Sequence, residues 1–191
     1  MRRGGKTGGE VVERILGRTV TPRLPTSTER DELRDILADA KNEKPLQNYL
    51  ARHPSFFTRF LPPGSRMTTY DRPRLGSEHI PDFLASVQNS QGLHWAGVEL
   101  ESPTVRALKR SGDMTAALGH SIGQVSDWRK WLRDNIAYAR SELKLTGISG
   151  DARVWIVIGR RTQMNEKQVK RYESLKQLNV EILSFDRLLD V

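Results

Sequence analysis

The 191-residue chain contains no cysteine. Disulfides and thiolate metal sites are therefore excluded, and the expected setting is a reducing one such as the cytoplasm. No apolar run approaches the roughly 18 residues of a membrane span, so no membrane partner is expected. The basic start, MRRGGKTGGEVVERILGR, is not followed by an apolar core, so no secretory signal is expected. The chain lacks a Walker loop, a dinucleotide fingerprint and a GxSxG elbow. Its four histidines, His53, His79, His94 and His120, fall into no HExxH or other metal spacing. No internal repeat is present.

What remains is a composition suited to one domain with a real core. Hydrophobic residues make up 37% of the chain and charged residues 28%. The formal charge is +8. Such an excess attracts polyanions through a sequence-independent Coulomb term, and it also serves solubility alone.

Residues 1–28 read as a basic arm. Arg2, Arg3, Lys6, Arg14, Arg18 and Arg23 oppose only Glu10 and Glu13. The arm either touches DNA, packs on a partner subunit or lacks fixed structure. From residue 29 to 191 the pattern is that of a folded domain. Ser27 or Thr28 caps a helix carrying Leu33, Ile36 and Leu37. A second helix spans about 43–52 and stops at His53-Pro54. Strands follow at 80–85 and 94–101, then a long helix over about 114–143. A buried strand over 152–159, a helix capped by Asn165 that contains Leu178, a strand over 180–185 and a short helical turn complete the chain. This order implies an α/β class, an α/β/α sandwich around a mixed central sheet.

The chemistry is concentrated in IPDFLASVQNSQGLHWAGVELES. If its two strands form a hairpin, Asp82 and Glu99 converge at one end of the sheet. On the second strand Ala96, Val98 and Leu100 share one face, while Trp95, Gly97, Glu99 and Glu101 share the other. Asp82, Glu99 and the backbone carbonyl of Leu100 make a hard oxygen site of the kind Mg²⁺ prefers, with Mn²⁺ as a substitute. Like charges this close call for a cation or a proton. The competing reading is a solvated strand face. Gln124 either reaches from the long helix into the site or is half-exposed. Lys109, Arg110, Arg129, Lys130, Arg160 and Arg161 are candidate phosphate contacts, each of which can equally be a solvated charge. His79 precedes Asp82 closely, as a candidate helper or a surface residue.

These residues also carry a family resemblance. Pro81-Asp82, then Glu99-Leu100-Glu101, then Gln124 in a helix resembles the PD-(D/E)xK nuclease superfamily. The runs LQNYLARHP, VELESP, KRSGDMTAALGHSIGQVSDWRKWLRDN, VWIVIGRR and VEILSFDRLL are similar to the nuclease domain of the Shedu antiphage-defence family, over about 30–191. The resemblance implies a restriction-endonuclease-like core and Mg²⁺-dependent cleavage or nicking of DNA. It further implies assembly into a homo-oligomer and a role in immunity against phage. Asp82 and Glu99 would be metal ligands, Gln124 a supporting glutamine, and Glu43 a helix acid assisting them. One departure stands out: Glu101 occupies the position where the family pattern has lysine. Glutamate cannot stabilise an anionic phosphorane; it can serve as a base toward water or as a ligand of a second metal, with Lys109 nearby as a cation. The alternatives are a catalytically inactive DNA-binding or assembly module and a repair or junction nuclease.

Overall fold

The computed structural model describes residues 15–175 and 179–190. The expectations for Arg2, Arg3, Lys6, Glu10, Glu13, Arg14 and Leu178 lie outside those residues. Six strands form one sheet in chain order: β1 (Arg18–Val20), β2 (Arg66–Asp71), β3 (Phe83–Asn89), β4 (Gly92–Leu100), β5 (Arg153–Val157) and β6 (Val180–Leu183). The first four pair antiparallel, and β4–β5 and β5–β6 pair parallel, so the sheet is mixed. Parallel neighbours need crossovers. Helices α3 (Ala116–Asp134) and α4 (Ile136–Ser141) supply the first, and α5 (Glu166–Ser174) the second. Helices α1 (Ser27–Asp39) and α2 (Lys44–Arg52) precede β2, and α6 (Asp186–Leu189) follows β6.

The two-residue period of β4 sorts its side chains as the sequence predicts. Ala96, Val98 and Leu100 join one core layer with Leu33, Leu46, Phe57 and Trp155. Trp95 joins the other, with Leu118, Val125, Trp128 and Ile156. The sheet is thus covered on both faces, by α1, α2 and α6 on one side and by α3 and α4 on the other. Phe56, Phe57 and Phe83 are fully buried, which stabilises the fold by roughly 1.5–3 kcal/mol each. Phe56 and Phe57 sit in a 3₁₀ segment, Pro54–Phe60, that continues from α2.

Several boundaries differ from expectation. The cap of α1 is Thr26, whose hydroxyl accepts the Glu29 N–H at 3.2 Å while Glu29 Oε2 accepts the Thr26 N–H at 2.8 Å. The expected arm contains an edge strand: β1 pairs with β2 through Arg18↔Thr69, Thr19↔Thr68 and Val20↔Met67. Arg23 also binds Glu29 at 2.6 Å. Three strand residues beside two prolines are too few to show a period in sequence. The strand expected over 80–85 begins at Phe83 and continues through the polar run SVQN, because β2 and β4 flank it on both sides. The long helix breaks at Asn135, whose amide donates to the Trp131 carbonyl at 3.0 Å.

Candidate acidic site at the sheet end

Register builds the site. Phe83 pairs with Val98, so the next step of the antiparallel ladder sets Asp82 beside Glu99. Asp82 is half-buried and Glu99 is 6% exposed. Asp82 Oδ2 accepts the Leu100 N–H at 2.7 Å. Its Oδ1 accepts the side-chain amide of Gln47, which α2 brings across the end of the sheet. Its own carbonyl accepts the N–H of Arg72 at 2.9 Å, and Arg72 there adopts φ 45°. A non-glycine residue with that φ is strained, and such strain concentrates at sites held by their surroundings.

Glu99 points into the α3 layer. Trp128 donates its indole N–H to Glu99 Oε1 at 2.9 Å. Glu101, half-buried, has the Ser121 hydroxyl 3.0 Å from its Oε1, and that hydroxyl also lies 3.1 Å from the Ala117 carbonyl. The Glu101 N–H donates to Val157 at 2.9 Å, extending the β4–β5 pairing past Leu100. Trp128 can lie flat against β4 because residue 97 is glycine. A Cβ there would fall 2.9 Å from the indole.

The electrostatics match this crowding. Burial pushes the Asp82 carboxyl up to about 6, against the pull of the Leu100 N–H, and Glu43, Glu101 and Asp71 push it further. Burial pushes Glu99 up to about 8; the Asp82 charge adds to that, while the Trp128 N–H and the Asp82 backbone N–H oppose it. Among the described residues, none of Asp82, Glu99 and Glu101 forms an ion pair with Lys or Arg. The local field is therefore negative, and the cation whose charge reaches Asp82 is Arg72, which is hydrogen-bonded to Asp71. Among the described residues no group of three or more His, Asp or Glu is gathered closely enough to enclose an ion unaided. Two carboxylates and a carbonyl suffice for an ion that keeps most of its water. In an extended strand the N–H and C=O of one residue face the same flank, so the Leu100 carbonyl faces β3 and Asp82. The donor set fits a hard divalent cation.

The remaining predicted residues divide. Glu43 precedes α2 one turn before Gln47, and its charge reaches Asp82. Gln124 is exposed on α3, between Ser121 and Trp128, and no hydrogen bond ties it to the acids. Lys109 and Arg110 are exposed in the loop before α3. Lys130 is exposed and pairs with Asp134. Arg129 is corrected: it is buried at 8% exposure and donates to the Gly150 carbonyl at 2.9 Å, so it anchors a loop rather than facing DNA. Arg160 is likewise committed, to Asp186 at 3.0 Å and to the Leu37 carbonyl. Arg161 is half-exposed and pairs with Asp190. His79 bonds through its carbonyl to Leu75. Sequence reasoning missed Gln47, Ser121, Asp71 and Trp128 as neighbours of the acids. For Gln47 a signal existed, its place four residues after Glu43 on one helix face.

Fold and site define a three-layer α/β domain with a partly buried carboxylate cluster at one end of a mixed sheet. The family model for Shedu protein SduA, C-terminal, matches residues 40–189, and the chain belongs to that family. No curated protein matches the chain. No helix of the described residues is long and apolar enough to cross a membrane.

Proposed function

We propose that this chain is a Mg²⁺-dependent DNA endonuclease or nickase of the PD-(D/E)xK type that acts as a homo-oligomer in antiphage defence. The observation that carries the proposal is the meeting of Asp82 and Glu99, one half-buried and one buried acid with raised pKa values, neither of them in an ion pair with Lys or Arg among the described residues. Family membership supports the defence role.

Asp82, Glu99 and the Leu100 carbonyl would hold the cation. Such a cation would supply charge neutralisation at the phosphodiester and a more acidic water for the attack. Gln47 and the Leu100 N–H fix the Asp82 carboxylate, and Trp128 fixes Glu99, so both oxygens are oriented before substrate arrives. Glu101, steadied by Ser121, would accept the proton of the attacking water. Water adds to phosphorus, the P–O bond to the leaving strand breaks, and the departing oxygen takes a proton from solvent water to leave as a hydroxyl. Exposed Lys109 and Arg110 supply cations toward the flanking phosphates. Burial shields the acids and strengthens every charge interaction among them.

A second reading is a domain of the same fold that binds DNA without cutting. It is favoured by Glu101, an acid where a cation would stabilise the pentavalent phosphorus. Supercoiled plasmid incubated with the protein in Mg²⁺, Mn²⁺ or EDTA separates the two. The nuclease reading expects nicked or linear product with either ion, none in EDTA, and none from Asp82→Ala or Glu99→Ala. Cutting by either variant at the parent rate would remove the site assignment. Intact plasmid under every ion, with retained binding, would establish the second reading.

A further inference from the structure

The sheet carries a second polar feature, far from the acids. Beneath the early part of β4 and β5, two cavities of about 560 and 580 Å³ meet at Arg59, Phe60, Arg153 and Trp155. Together they form one trough that runs from β4 under β5 and along β6. None of Asp82, Glu99, Glu101, Ser121 or Trp128 lines it. Trp155 belongs to the core layer opposite the one into which Glu99 points. Arg153 pairs with Ala96, three residues before Glu99, so the Arg153 end of the trough lies roughly 10 Å back along the strands.

Its cations are gathered at one end. Arg59, Arg153, Arg161 and Arg187 line the β6 half, against Glu181 and the neighbouring Asp190, while Asp151 lines the β4 half. Asp190 serves two arginines, lying 3.6 Å from Arg187 and closer to Arg161. Arg153 lies 4.0 Å from Glu181 and is 57% exposed; Arg187 is 51% exposed. Arg59 donates to the Arg187 carbonyl at 3.0 Å, so two guanidinium groups are held in one neighbourhood. Burial and the Arg187 charge both lower the Arg59 pKa. Clustered cations of this kind favour an anion.

We propose that this arginine trough binds the phosphodiester backbone of nucleic acid, as an anchoring surface separate from the acidic site. The choice of nucleic acid rests on the DNA-acting function proposed above. The shape supports a chain-like ligand: the two cavities run into one another at Arg59, Phe60, Arg153 and Trp155 and so make an elongated, open channel. The apolar floor of Phe60 and Trp155 keeps water from screening the arginines from below.

The test measures binding without cutting. A fluorescent duplex is titrated with the whole protein in EDTA at several salt concentrations. Arg153→Ala/Arg187→Ala is expected to bind at least tenfold more weakly and to lower the slope of log K against log salt by about 2, near 0.9 per lost phosphate contact. Arg153→Lys/Arg187→Lys retains the charge and is expected to keep most of the affinity. Unchanged affinity and slope in the alanine variant would overturn the proposal. A loss accompanied by a change of oligomeric state in light scattering would do the same, since the trough would then be a subunit interface. Competition by a free nucleoside triphosphate at micromolar concentration would assign it instead to a small ligand. Should the alanine pair not fold, hydrogen exchange on the parent decides: duplex in EDTA is expected to protect Val180–Leu183, and no protection there contradicts the proposal. Binding through the trough without any cleavage leaves this inference standing and removes the nuclease reading. Cleavage by a protein whose trough variant binds normally does the reverse.

Discussion

The indole N–H of Trp128 meets Oε1 of Glu99 at 2.9 Å, and this bond joins helix α3 to strand β4 at the acidic site. Both partners are almost wholly buried, Trp128 at 2% and Glu99 at 6% exposure. An unpaired carboxylate in that position would carry the full cost of lost hydration. The tryptophan is therefore a positioning residue for the acid, as well as the largest fully buried side chain.

Trp128→Phe keeps the bulk and removes the donor. The expected result is a stability loss of about 1–3 kcal/mol from the unsatisfied acid, together with a tenfold or greater rise in the Mg²⁺ concentration needed for half-maximal cleavage. Denaturant melts and a metal titration of cleavage measure the two effects. A variant equally stable and equally responsive to Mg²⁺ would show that the hydrogen bond carries no function.

Gly97→Ala acts on the same pair from below. The new Cβ would lie 2.9 Å from the Trp128 ring, between the ring and the backbone of β4, and Val154 stands 3.4 Å away on another side. Overpacking of this kind costs about 1–3 kcal/mol. The thermal midpoint should fall and cleavage should fall with it, because the indole must shift away from Glu99. Gly119→Ala on exposed α3, where a Cβ meets nothing within 4 Å, is the control and should be neutral or slightly stabilising.

The raised pKa of Glu99 makes stability depend on pH in a definite direction. Its ordinary value is 4.5 and its folded value is about 8. The folded chain holds a proton that the unfolded chain releases between those values. The contribution of Glu99 to stability is complete below about pH 4.5 and is lost as pH rises through about 8. Glu99→Gln lacks that loss. In EDTA the thermal midpoint of the parent, measured relative to Glu99→Gln, should fall between about pH 5 and about pH 8. Mg²⁺ at the upper end should restore the parent and leave the variant unmoved. Parallel melting curves across the range would contradict the assigned burial.

Gln47 tests the other carboxylate. Gln47→Leu keeps volume and removes the amide that holds Asp82 Oδ1, leaving the Leu100 N–H as its remaining donor at 2.7 Å. Supporting bonds of this kind are typically worth 10–100-fold in metal affinity or activity. Cleavage at fixed Mg²⁺ should fall by about that factor, with partial recovery at high Mg²⁺. An unchanged rate would place the role of Gln47 in packing alone.

The strand face of the site was legible in the sequence because side-chain direction in a strand repeats every two residues. Alternation in HWAGVELE put Glu99 on the Trp95 face, and the hairpin of the two strands put Asp82 near it. What α2 and α3 bring to the acids was not legible. Gln47 contacts Asp82 across 35 residues of sequence and Trp128 contacts Glu99 across 29, and no local period encodes such a meeting. Strand β2 was missed because Met67 is the sole strong apolar residue on its inner face, and β1 because three residues carry no pattern. Arg129 and Arg160 looked like surface cations since charge alone does not reveal a carbonyl or carboxylate waiting for them.

The central claim is that Asp82 and Glu99 share one divalent cation, and titration calorimetry with Mn²⁺ measures it without any substrate. The parent should bind one ion per chain at neutral pH, more tightly as pH rises and the two carboxyls lose their protons. Asp82→Asn and Glu99→Gln should each abolish that binding while the thermal melt still shows a folded chain. Equal Mn²⁺ binding by parent and both variants, or no binding by the folded parent at any pH up to about 9, would contradict it.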